Sequence, residues 1–478
     1  MNGLRRKRGS KDGPKLAKAR RRSGEGARAI DIYNHPLRLS ADPARVVVRP
    51  FHLSWQAAGI EISRTARLIS RVLHLDAAAV DTELAIVYRD FGKRHWQTRM
   101  VFESRFEDLA KEFELRGDDQ IKDLTGPQNE LIGAYFCHEY TYAAAALMNP
   151  SIVPHVDQSG LLKGQTRFVM SLRAVGEGHI SSIVFREGIV GPGRKLALQP
   201  EPPFATAASQ PFEDMARGST HVVAHRHPES TLTGTVIFPI TEAQRNGLED
   251  LRLVEFHHED GRREWIGTYT AYDGKRIQSE MMRTSDFRAF ALQPFTGSAA
   301  VNKGMALFPR KVGGRYCMIG RQDGENLFLI RSDTLEDWGD GQKLIQPRYP
   351  WEFIQIGNCG SPIELPEGWL VLTHGVGAMR KYSIGAVLLD KDDPAKVLGR
   401  TREPILAPLD GERNGYVPNV VYTCGAMVVG EDLFIPYGIA DSSVGFAFMS
   451  LASVLEAMGV SAVKAAEPVE VLAGARPR

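Results

Sequence analysis

An acidic pair, Glu249-Asp250, stands just ahead of the run Leu251-Arg-Leu-Val-Glu-Phe256. Downstream come isolated cations, a histidine and hydroxyls, each at the end of a strand-like run: Asn302-Lys303-Gly304, Arg321, His374, Arg380, Lys381 and Tyr382. One carboxylic acid and a cradle for an oxyanion suffice to break a glycosidic bond with phosphate. The acid protonates the leaving oxygen, and phosphate, already anionic, needs no general base. Hydrolysis of the same bond usually draws on two carboxylates. In an extended segment Glu249 and Asp250 point to opposite faces, so only one of them looks into a site. Asp250 is the candidate, and Arg252, two residues on, shares its face and can hold it ionised or oriented.

Other chemistries find less support. His221, His225 and His227 lack a carboxylate at a recognised metal-ligand spacing, so no metal site is expected. The chain carries no P-loop, no GxGxxG after a strand, no GxSxG and no HExxH. Cys137, Cys317, Cys359 and Cys424 are widely spaced with no CxxC pair, which points to reduced thiols in a cytoplasmic protein.

The elements that must position these residues change character along the chain. Eleven Lys and Arg against Asp12 and Glu25 give the first 30 residues a charge of about +9, leaving about −7 for the rest of a chain whose total is +2. Residues 1–29 therefore read as a disordered basic tail. The acidic body and the lack of basic-aromatic interleaving disfavour nucleic acid as a partner. The tail has no apolar core of a signal peptide, and no apolar run is long enough to span a membrane.

From Trp55 to about Tyr142 the pattern is helical. Val80, Leu84, Val87 and Phe91 share one stripe, Trp96, Met100, Phe106 and Leu109 line a second, and Asp76 reads as an N-cap. Residues 30–145 are expected to form a helical N-terminal extension. After Asn149-Pro150-Ser151 short strand-like runs take over, among them Arg167–Arg173, Ser181–Arg186, Leu251–Phe256, Trp265–Tyr272, Leu327–Arg331, Trp369–Thr373, Ile384–Leu389 and Leu433–Tyr437. Asp260-Gly261, Asp273-Gly274, Asp323-Gly324 and Glu367-Gly368 punctuate them. Many short strands over so long a stretch favour a propeller over a single sandwich. The domain reading is 146–460 for this β body and 461–478 for a C-terminal tail.

Glu249-Asp250-Leu251-Arg252 resembles the Glu-Asp-Pro-Arg box of glycoside hydrolase family 130, the β-mannoside phosphorylases and mannosidases, with Leu251 in place of Pro. Further blocks follow in the family's order: Tyr269–Tyr272, Asn302–Pro309, Gly368–Val376, Tyr382–Asp390, Gly415–Asn419 and Tyr437–Asp441. Upstream, Asn149-Pro-Ser, Arg173 and Ser181-Ser182 also match, so the resemblance covers roughly residues 146–450.

The resemblance implies a mainly β fold, a five-bladed β-propeller preceded here by the helical segment, with the site in its central funnel. It implies Asp250 as general acid, acting through a hydroxyl of the bound mannose. Arg173, Ser182, Asn302 and Asp441 would contact the sugar, and Lys303, Arg321, His374 and Tyr382 would hold phosphate. The expected reaction is inverting phosphorolysis of a β-mannoside oligosaccharide to α-mannose 1-phosphate, with phosphate as co-substrate and no cofactor. The alternative is an inverting β-mannosidase on the same scaffold. Gln355 stands where many phosphorylases carry a Lys, a departure for which Arg380 and Lys381 are candidates to compensate. The long helical extension resembles a long-form subgroup, and its expected roles are contact within a homo-oligomer or a wall of the acceptor subsite.

Overall fold

The computed structural model describes residues 30–51, 53, 64–112, 124–209 and 220–461. The basic tail at 1–29, the tail beyond Ser461 and the expected helical start at Trp55 lie outside the described residues. Among those described, the protein is mainly β, with five α-helices, none long and apolar enough to cross a membrane.

Among the described residues four helices precede the β body: α1 (Arg64–Leu73), α2 (Ala77–Phe91), α3 (Thr98–Glu112) and α4 (Gly126–Tyr135). Asp76 caps α2 as its sequence position predicts, its carboxylate accepting from the Ala79 amide at 2.8 Å. Thr125 and Gln128 form a capping box on α4, with Pro127 in its first turn. Val80 and Leu84 bury the α2 stripe, whereas Phe91, at its end, is exposed. On α3 the buried apolar residues are Phe102, Phe106, Leu109 and Ala110; of the expected stripe Phe106 and Leu109 face inward, whereas Met100 faces solvent and Trp96 lies before the helix. These helices share a core of their own with Ile69, Val72, Leu131 and Phe136.

The β body comprises mainly antiparallel groups. Ala146–Pro154, Thr166–Val175 and Ser181–Gly191 form one, extended by the short strands Lys195–Leu198, Thr206–Ala207 and Thr235–Ile237. Gly247–His257, Arg263–Tyr272, Ile277–Thr284, Ala289–Pro294 and Val222–His225 form a second. One parallel pairing, Gly247 with Ser181, joins the two into an eleven-stranded sheet. A four-stranded sheet spans Ala306 to Ile345, and a five-stranded one spans Gln355 to Arg400. The last sheet combines Val421–Tyr422, Met427–Val429, Asp432–Ile439 and Ser443–Ser450 with Ile32–Ser40 from the far end of the chain, and α5 (Leu451–Ala457) follows it.

That last pairing corrects the expectation that residues 30–145 are helical. Ile32–Ser40 runs antiparallel to Ser443–Ser450, and Leu37 and Leu39 pack on the core that holds Phe446 and Phe448. Pro36, which cannot donate to a ladder, is tolerated because the strand lies at the sheet edge. Val46–Pro50 and Cys137–Thr141 form a further two-stranded ladder that ties the helices to the body.

Trp265, Trp338 and Trp369 are fully buried in the sheets' cores, and their indole N–H groups donate to the Pro154, Leu335 and Lys391 carbonyls at 2.8–2.9 Å. Burying a large apolar side chain contributes roughly 1.5–3 kcal/mol, and the satisfied N–H avoids a desolvation penalty. The strands are thus held rigidly enough to fix what their ends carry.

Candidate active site

Asp250 does not continue the strand it sits in. Glu249 pairs with Thr270 and Arg252 with Thr268, so one extra residue is inserted, and Asp250 takes a left-handed backbone with φ +57°. This overturns the expectation that Glu249 and Asp250 face opposite ways. Arg173 reaches both: Nη2 to Glu249 Oε1 at 2.7 Å and Nη1 to Asp250 Oδ1 at 3.4 Å.

A second bulge faces the first. Met148 pairs with Arg173 and Ser151 with Ser171, leaving Asn149 inserted at φ +50°. Its Nδ2 donates to Asp250 Oδ1 at 2.6 Å. Asn149 was quoted in the sequence only as the start of a block; an Asn-Pro step at a strand's midpoint was the available signal, since Asn tolerates left-handed backbone better than most residues.

Arg252 does not pair with the Asp250 carboxylate. Fully buried, it donates to the Asp250 carbonyl at 2.8 Å, the Cys359 carbonyl at 2.8 Å and the Tyr422 hydroxyl at 2.9 Å, and so braces the bulge. Burial pushes the Asp250 carboxyl upward, but the charges of Arg173, Arg252 and Lys303 and the Asn149 hydrogen bond outweigh it and hold the group at about 2. Asp441, at φ +49° in the turn after Asp432–Ile439, goes the other way. Burial and the charge of Asp250 raise it to about 6 against the pull of Arg173 and Arg380.

Lys303, expected among the phosphate ligands, sends its ammonium to Glu249 Oε2 at 2.7 Å. Asn302, expected at the sugar, is engaged in its own loop. Its Nδ2 donates to the Arg321 and Gln322 carbonyls, and its Oδ1 accepts from the Lys303 amide at 2.7 Å. Ser181 rather than Ser182 meets Arg173, its Oγ accepting from Nε at 2.8 Å. Neighbours on a strand face opposite ways, and the Ser182 hydroxyl is buried with no partner among the described residues.

The remaining anion candidates do converge. His374 is buried; its Nδ1 donates to the Asn358 carbonyl at 3.2 Å, which leaves Nε2 as an acceptor facing Arg321 Nη1 at 3.4 Å and Gln355 Nε2 at 3.5 Å. Burial, then the charges of Arg321 and Arg252, hold the imidazole well below its ordinary value, so it is neutral. Tyr382 stacks on it at 5.9 Å, and Tyr422 stands edge-on at 5.0 Å. Gly357 is required here, since a Cβ would lie 2.3 Å from His374 Cε1. Arg321 Nε is buried without an acceptor among the described residues, a donor ready for an anion. Arg380, at φ +53° in an exposed turn, acts on Asp441 rather than on this cluster.

Tyr422 joins the two halves, taking the Arg252 hydrogen bond while packing on His374. Tyr422 carries no sequence signal for the site, because only the fold brings it in; Glu249, set aside in the sequence as facing away from Asp250, is turned inward by the bulge. Among the described residues no three His, Cys, Asp or Glu side chains are grouped as a metal site.

Residues 219–459 match the family model Glyco_hydro_130, described as β-1,4-mannooligosaccharide phosphorylase. A 1,2-β-oligomannan phosphorylase of Thermoanaerobacter sp. (strain X514) is 36% identical over 217 residues, 44% of this chain and 71% of the relative. A β-1,2-mannobiose phosphorylase of Listeria innocua is 32% identical over 236 residues, 47% of this chain and 64% of the relative. The solved β-1,2-mannobiose complex of a Listeria innocua β-1,2-mannobiose phosphorylase aligns with a TM-score of 0.44 at 24% identity, over 66% of this chain and 92% of that one. The family match begins downstream of Asn149, Arg173 and Ser181, which the fold nevertheless brings to Asp250. With half of its length matched by the family model and a relative of this similarity, the chain belongs to glycoside hydrolase family 130.

Proposed function

We propose that the protein is an inverting β-mannoside phosphorylase that releases α-mannose 1-phosphate, with Asp250 as general acid and phosphate as nucleophile. The observation that carries this reading is the continuity between the bulge that bears the Asp250 carboxylate and a cluster built to take an anion. Asp250, Arg252, Tyr422, His374 and Arg321 form an unbroken chain of contacts, at the end of which Arg321 Nε lacks an acceptor.

The sheets support a five-bladed reading. If the eleven-stranded sheet is divided at the parallel Gly247–Ser181 pairing, five strand groups result, and each supplies the site. In chain order they give Asn149 and Arg173; Glu249 and Asp250; Lys303 and Arg321; His374 and Tyr382; Tyr422 and Asp441. On this reading Ile32–Ser40 closes the last blade, and residues 64–135 are a helical module beside the propeller. The module's link to the body supports a role near the site: Tyr140 donates to the Glu177 carbonyl at 2.8 Å, in the turn between the Arg173 and Ser181 strands.

In the reaction a phosphate oxygen bonds to the anomeric carbon as the bond from that carbon to the leaving oxygen breaks, and the leaving oxygen takes a proton originating on Asp250, relayed by a mannosyl hydroxyl. Net, the proton of monohydrogen phosphate ends on the released sugar, so the acid is restored each turnover. Asp250 is ionised in the free enzyme and must gain its proton when substrates bind. A phosphate dianion beside Arg321 opposes the cations that depress it, which raises its proton affinity. Arg321 supplies charge-assisted N–H groups to phosphate. Neutral His374, with Nε2 as acceptor, suits the P–OH of monohydrogen phosphate and orients Arg321. Arg173 and Asp441 are left to hold the mannosyl unit.

The test is phosphate dependence: β-mannosides of differing linkage incubated with and without phosphate. Cleavage that requires phosphate supports the reading. Equal release of free mannose without it would favour a β-mannosidase, with Gln355 at His374 marking the missing cation.

A further inference from the structure

Glu249 is the one carboxylate of the site that the proposed reaction leaves without a task, yet it is the most completely held. Its side chain is 9% exposed, and each oxygen receives a different cation at 2.7 Å: Oε1 from Arg173 and Oε2 from Lys303. The cations come from separate sheets, Arg173 from Thr166–Val175 and Lys303 from the loop before Ala306–Leu307. The bulge at Asp250 is what turns Glu249 toward both.

The two cations differ in freedom. Arg173 is also fixed by Ser181 and Asp250. Lys303 is anchored at its backbone, where Asn302 ties the loop to the Arg321 and Gln322 carbonyls and Gly304, at φ +91°, packs against the Arg321 side chain. Beyond Glu249, its ammonium has no other partner among the hydrogen bonds and ion pairs of the described residues, and its side chain is 31% exposed. A lysine is a point charge on a flexible stem, able to exchange one oxyanion for another by rotation alone.

We propose that Glu249 is a positioning residue that competes with phosphate for Lys303. In the free enzyme it parks the ammonium beside Asp250; when phosphate occupies the Arg321–His374 cluster, Lys303 is drawn from Glu249 to the new anion. Glu249 thereby sets how tightly phosphate binds, while its other oxygen keeps Arg173 aimed at the sugar. This rests on the phosphate-site reading above, and its consequence has a sign. Removing the Glu249 charge frees Lys303 and tightens phosphate binding, and it loosens Arg173 and weakens binding of the mannoside.

The experiment is calorimetric titration of the full-length protein with inorganic phosphate, which needs no turnover, for wild type, Glu249→Gln and Lys303→Met. Glu249→Gln is expected to lower the phosphate dissociation constant by about threefold to tenfold, the scale of removing one competing charge in a partly solvated site, and Lys303→Met to raise it by a similar factor. In steady-state assays Glu249→Gln should lower the KM for phosphate and raise that for the mannoside. A loss of structure alone would worsen both. Unchanged or weaker phosphate binding in folded Glu249→Gln overturns the proposal. Should that variant fail to fold, wild-type phosphate affinity in Lys303→Met overturns it by itself. Wild-type protein that binds phosphate with these variant effects but cleaves no β-mannoside would sink the activity reading and leave the competition standing.

Discussion

Asn149 and Asp250 are each the inserted residue of a β-bulge, and the two bulges meet through a 2.6 Å hydrogen bond from Asn149 Nδ2 to Asp250 Oδ1. Both backbones are left-handed, at φ +50° and +57°. Strain of this kind costs of order 1–3 kcal/mol per residue and persists where the surroundings over-determine it. Here the two adjoining strand groups of the eleven-stranded sheet, Arg173 and Arg252 do so.

Asn149→Ala removes a hydrogen bond that favours the ionised carboxylate, so the proton affinity of Asp250 rises. The expected result is a fall in kcat of about tenfold to a hundredfold from lost orientation, with the alkaline limb of the pH profile moved to higher pH. A limb that stays at the wild-type position would mean that Asn149 does not act on the acid.

Asp250→Asn keeps the shape of the bulge while removing the proton. Turnover should drop by at least ~100-fold with the circular dichroism spectrum unchanged. Near-wild-type activity would take Asp250 out of proton transfer.

Arg321→Ala deletes the donor whose Nε lacks an acceptor. The KM for phosphate should rise by about tenfold or more, on the scale of a charge-assisted hydrogen bond, while the KM for the mannoside stays within about threefold. An effect confined to the mannoside would reassign Arg321 to a sugar subsite.

Asp441 gives a pH signature of opposite sign to that of Asp250. Its carboxyl, lying at about 6 in the folded protein, is above the unfolded value near 3.9. The folded state therefore binds its proton more tightly, and that stabilisation is complete below about pH 4 and lost as pH rises through 6. Wild type should lose stability relative to Asp441→Asn between pH 4 and pH 6.5. Melting temperatures that run parallel over that range would show that the Asp441 carboxyl is not raised. The depressed Asp250 contributes stability that disappears only in strong acid, as pH falls through about 2.

Truncation separates the basic tail from the strand behind it. Removing residues 1–29 should leave kcat unchanged. Removing residues 1–40 uncovers the edge of Ser443–Ser450 and the core faced by Leu37 and Leu39. It should lower the melting temperature by a few degrees, since burying the two leucines contributes a few kcal/mol and about 1 kcal/mol shifts the midpoint by about 1 °C at this chain length. Equal stability of the two truncations would contradict that strand's role.

What the chain revealed by itself was local. Runs such as Trp265–Tyr272 and Trp369–Thr373 lie within observed strands, and the turn glycines Gly261, Gly274 and Gly324 have φ between +77° and +96°. Alternation and punctuation are written into adjacent residues. Ile32–Ser40 was missed because its partner lies some four hundred residues away and its Pro36 reads as a strand breaker. The bulge at Asp250 was missed because no neighbouring residue signals an insertion; it is fixed by Thr268 and Thr270 across the ladder and by Arg252 beneath it. Individual site residues were thus legible by type, but their pairings were not. Lys303 looked like a phosphate cation and is found on Glu249, and Ser182 yielded its place to Ser181 through strand alternation.

The most direct test of the account is the reverse reaction: purified enzyme with α-mannose 1-phosphate and a panel of acceptor sugars, scored for inorganic phosphate released. The account predicts release only when a suitable acceptor is present, with a new β-mannosidic bond in the product and no release by Asp250→Asn. Silence across the panel, together with phosphate-independent mannose release from β-mannosides, would contradict it.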